Sequence, residues 1–193
     1  YGARLKRLTE GITDADGLPL NFKVYLVTDV NAFACGDGSI RVFAALMDLM
    51  DDDELMAIIG HEIGHVVHAD TKHAMKNAYL ASAARNAAGA AEGSALARLS
   101  ESQLGKVVAT FTDAQCSQKQ EYEADEHGFE FCVKHGFDPY GMANSLDKLV
   151  ELSKGAKAST VQKMFSSHPD SEKRAARMKE KADAYMAAQR QNR

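Results

Sequence analysis

The spacing of apolar positions along the chain changes period several times, and each change predicts an element. Apolar and polar residues alternate in Phe22-Lys23-Val24-Tyr25-Leu26-Val27 and in Ser39-Ile40-Arg41-Val42-Phe43, the period of a half-buried strand. Asn31 to Cys35 reads as a further strand, and Asp37-Gly38 between it and the next is a hairpin signal. Helical spacing covers Ala3 to Gly11, Ala44 to Met50, and the run from Glu54 to Val67, for which Asp51 and Glu54 form a capping box. Asp52 and Asp53 favour the positive end of that helix. Further helices are predicted over Thr71 to about Ala88, Ser117 to His135, Tyr140 to Lys154 (opened by Asp138-Pro139) and Ser171 to Gln189. Gly89 to Gly105, rich in Gly, Ala and Ser, reads as a lid loop or a plain connection. Gly155 to Thr160 reads as a linker and Val161 to Phe165 as a short turn. Many helices with one small sheet define a mostly helical α+β fold.

Composition bounds this picture. The 193 residues are 45% hydrophobic, enough for one compact domain over 1–193. Net charge is −4, and basic residues do not interleave with aromatic ones, which excludes a nucleic-acid partner from the expectations. Positive charge gathers from Ser171 to Arg193, where an amphipathic solvated helix is the simplest reading. No stretch long enough to span a bilayer is free of charge. The chain begins at Tyr1, compatible with a removed leader or lipid anchor, so membrane association is expected only through a segment outside this chain. Cys35, Cys116 and Cys132 have no CxxC spacing, and fit either one disulfide with a free thiol or three thiols.

The chemistry begins at His61-Glu62-Ile63-Gly64-His65, an HExxH string inside a helical run. Residues four apart share a helical face, so both imidazoles can reach one ion, with Glu62 beside them as a proton acceptor. Leu55, Ile58, Ile59, Val66 and Val67 make the helix apolar and therefore buried. Two imidazoles and a carboxylate in a core are costly unless paired or bound to metal.

Catalytic zinc normally takes three protein ligands. His68 cannot be the third, because seven residues separate it from His61 by about 10.5 Å along the axis. The extended HExxHxxGxxH pattern also fails, with His68 and Thr71 standing where Gly and His are required. The third ligand must come from another element. Glu121 and Asp125 lie four apart on a later helix, where one could ligate and the other orient a histidine. Glu123 and His127 are rivals by spacing alone, and a solvated acidic face is the bland alternative.

HEIGH followed by Glu121-Tyr122-Glu123-Ala124-Asp125 resembles the gluzincin family that holds the HtpX, Oma and CAAX-prenyl-protease types. Asn31-Ala32-Phe33-Ala34 is similar to that family's edge-strand segment, and Ser167-His168-Pro169 with Arg174 to its late His-Pro…Arg motif. Cys35-Gly36-Asp37-Gly38 and Met164 to Pro169 look similar to bacterial envelope members of the LoiP type. The resemblance spans about Phe22 to Arg177.

It implies a sheet whose edge strand borders an active cleft, HExxH on a central helix, and one Zn²⁺ held by His61, His65 and Glu121, with Asp125 behind a histidine. It implies Glu62 as general base and His168 as oxyanion donor, or alternatively as a resting-state blocker of the metal. Asn31, Ala32, Phe33 and Ala34 would take extended polypeptide as an added strand, and Arg174 would bind a carboxylate of the site or of substrate. The implied function is zinc endopeptidase action on unfolded or misfolded proteins in the periplasm of the bacterial envelope, with a lipoprotein anchor as one implied form of attachment. The competing class is a zinc-binding chaperone or assembly adaptor with a latent site. Oligomeric state and natural substrate are left open.

Overall fold

Alternating residues of three strands build the sheet. In the computed structural model, which describes residues 1–69, 116–155, 158–169 and 171–191, β3 (Asn21–Tyr25) pairs in parallel with β5 (Ser39–Phe43), and β4 (Ala32–Ala34) pairs antiparallel with β5. The order β3-β5-β4 leaves β3 and β4 as the two edges. Ile40 and Val42 on β5 are fully buried beneath this sheet. Ahead of it lie helix α1 (Gly2–Leu8) and a small hairpin of β1 (Asp14–Ala15) and β2 (Leu18–Pro19). That hairpin was not anticipated. Its turn uses Asp16 (φ 50) and Gly17 (φ 79), the Asp-Gly chemistry of two-residue hairpin loops.

Helix α2 (Ala44–Leu49) leads directly into α3 (Asp52–Val67). The expected capping box is present: Glu54 N–H donates to Asp51 Oδ1 at 2.9 Å, and Asp51 N–H donates to Glu54 Oε2 at 2.9 Å. Every residue of α3 from Glu54 to Val66 is buried. This is therefore the central helix that its nearly continuous apolar sequence predicts. One face packs on the sheet through Leu55, Ile58 and Ile59. The opposite side meets α4 (Gln118–His135) and α5 (Gly141–Lys154), on which α7 (Ser171–Gln191) packs in turn, and Phe129, Cys132, Met142, Leu146 and Met178 make a second core.

From Ala158 on, the stretch expected to be the end of a linker and a turn forms one helix instead, α6 (Ala158–Ser167). Val161 and Met164, three apart, bury a single stripe against the rest, which tertiary packing rewards although the segment is short. The helix predicted at Thr71 to Ala88 and the lid predicted at Gly89 to Gly105 lie outside the described residues. Cys35, Cys116 and Cys132 form no disulfide among the described residues. Burial raises the Cys132 thiol to about 12.

Candidate active site

Helices α3 and α4 can bring their polar residues together because both carry small residues where they cross. A Cβ on Gly64 would lie 2.9 Å from His127 Cβ and 3.1 Å from Ala124 Cα. One on Gly60 would lie 2.8 Å from Phe131 Cβ, and one on Gly128 would lie 2.9 Å from the Ala57 carbonyl oxygen. Contacts below 3.0 Å leave no room for a methyl group. The three glycines thus set the separation at which a side chain of α4 meets those of α3.

At that separation His61, His65, Glu121 and His168 each offer one ligating atom, all within 4.8 Å of one another and all buried. His65 Nε2 stands 3.1 Å from His61 Nε2 and 3.4 Å from Glu121 Oε1. Glu121 Oε2 lies 3.6 Å from His61 Nε2. His168 Nδ1, delivered by the end of α6, is 3.3 Å from His61 Nε2 and 3.1 Å from Glu121 Oε1. Ligands around a tetrahedral ion with bonds of 2.0–2.1 Å stand about 3.3 Å apart. The five contacts given, 3.1–3.6 Å through one or other Glu121 oxygen, lie near that edge length, and the imidazole and carboxylate donors are the set that zinc and similar ions take, so these residues fit a metal.

Behind the donors sits a carboxylate and a guanidinium. His61 Nδ1–H donates to Asp125 Oδ1 at 2.9 Å, which turns the Nε2 lone pair toward the cluster. Arg174 donates to Asp125 through Nε (2.8 Å, to Oδ2) and Nη2 (2.6 Å, to Oδ1), and its Nη1 reaches Glu121 Oε2 at 2.6 Å. Arg174 is 2% exposed, and of its two expected roles the geometry matches carboxylate binding within the site, not a reach into solvent for substrate. Burial alone would push the Glu121 and Asp125 carboxyls up. For Glu121 the neighbouring His168, then His65 and His61, outweigh it; for Asp125 the outweighing partners are Arg174 and His61. Both remain ionised, well below the usual carboxylate range. Burial holds His61 below its ordinary value despite Asp125, and so keeps the imidazole neutral as a ligand requires.

Glu62 is 2% exposed, and its Oε1 has no hydrogen-bond partner among the described residues. Its nearest ionic neighbour is His168 Nε2 at 3.6 Å. A buried carboxylate oxygen without a partner is costly and is the condition of a group held ready for a proton. The rivals by spacing go elsewhere. Glu123 pairs with Lys119 at 3.6 Å, and His127 Nδ1–H donates to the Gly60 carbonyl at 2.8 Å. His68 is exposed and stacks edge-on with His127.

Strand β4 flanks α3 at one edge of the sheet. Phe43 N–H donates to the Asn31 carbonyl and Cys35 N–H to the Ser39 carbonyl. By antiparallel alternation, the N–H and C=O groups of Ala32 and Ala34 therefore point to the open edge. Asn31 itself is buried (2% exposed), so only the main chain of this segment and Phe33 are offered outward. Cys35, read from sequence for pairing and as part of the Cys35-Gly36-Asp37-Gly38 segment, follows this strand; burial, then Asp37 and Glu62, raise its thiol against the opposing Arg41. Its position directly after the edge strand was the available signal.

A helix-borne HExxH completed by a carboxylate from a second helix defines a metal-dependent peptidase. The model described as "Peptidase family M48" matches residues 2–182, and the chain belongs to that family. It is 40% identical over 185 residues to the metalloprotease LoiP of Escherichia coli (strain K12), covering 95% of this chain and 71% of LoiP. It is 38% identical over 182 residues to the metalloprotease YcaL of the same organism, covering 94% of this chain and 70% of YcaL. A beta-barrel assembly-enhancing protease of E. coli K12 is 29% identical over 182 residues, with 37% of that longer protein covered. The protein is a metalloprotease. Among the described residues no helix is long and apolar enough to cross a membrane.

Proposed function

We propose that this metalloprotease is a zinc endopeptidase of unfolded or misfolded polypeptides, acting in protein quality control at the bacterial cell envelope. The observation that carries the catalytic part is the meeting of His61, His65 and Glu121 beside a Glu62 oxygen with no partner. His61, His65 and Glu121 would hold the ion, which supplies a Lewis acid and lowers the pKa of water at the scissile carbonyl. Glu62 takes the proton of the attacking water and returns it to the leaving nitrogen. Asp125 fixes the His61 tautomer, and Arg174 holds Asp125 and Glu121 in place. The Ala32 and Ala34 main chain takes the substrate as an added strand, which tolerates many side chains and suits unfolded chains. Residues 1–193 serve as one catalytic domain. The envelope setting rests on the resemblance to LoiP and on the name of the beta-barrel assembly-enhancing relative.

Two roles remain for His168, and one observation favours the blocking one. Its Nδ1 lies inside the donor cluster, 3.3 Å from His61 Nε2 and 3.1 Å from Glu121 Oε1, so the ring would stand in the way of water at a bound ion until it moved. The same closure is what a latent, adaptor-type site would present.

Metal content and casein cleavage, measured together, separate these readings. Wild type should bind one zinc and cleave casein, with activity lost to a chelator and restored by Zn²⁺. Glu62→Gln should keep zinc and lose cleavage by a factor of about 10² or more. Glu121→Ala should lose zinc, whereas Glu123→Ala should not. Faster turnover in His168→Ala marks a blocker; slower turnover marks an oxyanion donor. Zinc binding by the wild type with no cleavage of casein would leave the adaptor reading standing.

A further inference from the structure

The sheet has a second edge, and it is built to hold a strand. In the parallel β3–β5 pair, Asn21 N–H donates to the Gly38 carbonyl, which by alternation turns Asn21, Lys23 and Tyr25 toward β5. The N–H and C=O groups of Phe22 and Val24 consequently point away from the sheet, and no partner for them exists among the described residues. They open into a groove of about 750 Å³ between β3 and α1.

Helix α1 is a fixed wall of that groove. Tyr1, Arg4 and Arg7 tie one of its faces to the α2–α3 junction: Tyr1 Oη–H donates to Asp48 at 2.8 Å, and Arg4 Nε and Arg7 Nη2 each reach Asp52 at 2.7 Å. Arg4 also donates to the Met50 carbonyl at 2.9 Å. The face left over turns Leu5, Lys6 and Thr9 to the groove. A strand edge opposite a helix, with apolar side chains between them, is the geometry in which extended peptides bind by strand addition.

Charge narrows the occupant. Lys6 and Lys23 line the groove, and among the described residues no acidic side chain does, on a chain whose net charge is −4. At its end Leu26 is 82% exposed, a large apolar side chain in water. A second copy pairing edge to edge would bring Lys23 against Lys23, and like charges facing across strands are destabilising. We infer that the β3–α1 groove is a second polypeptide-binding edge, separate from the β4 cleft, that takes an extended partner segment alternating apolar and acidic residues. The apolar side chains would pack on Leu20, Phe22 and Val24, and the acidic ones would meet Lys6 and Lys23.

Binding, not turnover, tests this, so the outcome is independent of the peptidase reading. A fluorescein-labelled nine-residue peptide of alternating valine and glutamate is titrated with the Glu62→Gln protein and followed by anisotropy. A hydroxamate inhibitor is present in excess, and ionic strength is varied. Saturable binding is expected, weakening as salt rises. The valine–lysine version and a version with proline at alternate positions should bind at least tenfold more weakly. Lys6→Glu/Lys23→Glu should weaken the acidic peptide at least tenfold while its melting temperature stays at the parent value. No binding, displacement by the hydroxamate, or undiminished binding to the double variant overturns the proposal. So does a concentration-dependent dimer that competes with the peptide, which would assign the groove to a second copy.

Discussion

Arg174 shows how much one side chain can hold. Its guanidinium is the only described cation within reach of both Asp125 and Glu121, and all three groups are almost wholly buried. Removing it as Arg174→Ala would strand two carboxylates in the core, a loss of about 3–5 kcal/mol. Urea denaturation should show that loss, and zinc affinity should fall with it. Arg174→Lys should rescue little, because a single ammonium cannot reproduce a fork that grips both oxygens of Asp125 and one of Glu121. His127 carries a different prediction. Burial lowers its pKa below the ordinary histidine value, with the Gly60 carbonyl only partly opposing. A depressed folded pKa means stability that is present above about pH 6.5 and lost as pH falls through the folded value. Urea midpoints at pH 7.5 and 5.5 should therefore differ less in His127→Gln than in wild type, since glutamine can still donate to Gly60 and cannot be protonated.

Among elements, the α3–α4 contact governs the site. Gly60, Gly64 and Gly128 permit an approach that any side chain at those positions would block. Gly64→Ala gains helix propensity on α3 and loses the fit against His127 and Ala124, with overpacking costing about 1–3 kcal/mol. A lower melting temperature and weaker zinc binding are expected together, because displacing α4 carries Glu121 away from His61 and His65. A stabilised Gly64→Ala with unchanged metal affinity would show that the helices do not depend on this contact. The glycines stand in the sequence as plainly as the histidines, yet nothing local marks them: a helical glycine signals close packing only once its neighbour is known. Conversely the Asp51–Glu54 box was legible, since a cap is satisfied within four residues. Helix α6 reads locally as linker and turn for the opposite reason, that its stability comes from Val161 and Met164 meeting the core.

At the scale of the whole molecule, the donor cluster joins segments far apart in the chain: α3, α4 and the end of α6. A ligand bound only by the folded state stabilises it, so zinc at a hundred times its dissociation constant should add about 2.7 kcal/mol. Chelation should lower the melting temperature, and Zn²⁺ should restore it, in Glu62→Gln as in wild type. A melting temperature indifferent to chelator would mean that the four donors are held together by the protein alone. The same architecture leaves one edge of the three-stranded sheet beside the catalytic helix and the other beside α1, so the two proposed polypeptide edges lie on opposite sides of the sheet.

Sequence alone determined whatever depends on near neighbours: helix-borne histidines four apart, the cap ahead of them, the alternation of β5, and through the resemblance Glu121, Asp125 and His168 as the residues to look for. Only the tertiary structure decided which atoms meet. It put Glu121 rather than Glu123 or His127 against the histidines, turned Arg174 inward, brought the His168 Nδ1 within 3.3 Å of His61 Nε2, and left β3 as an open edge. The division follows from range. Caps and periodicities are settled over a few bonds, whereas convergence of side chains from distant helices depends on packing distances that no local stretch of sequence contains.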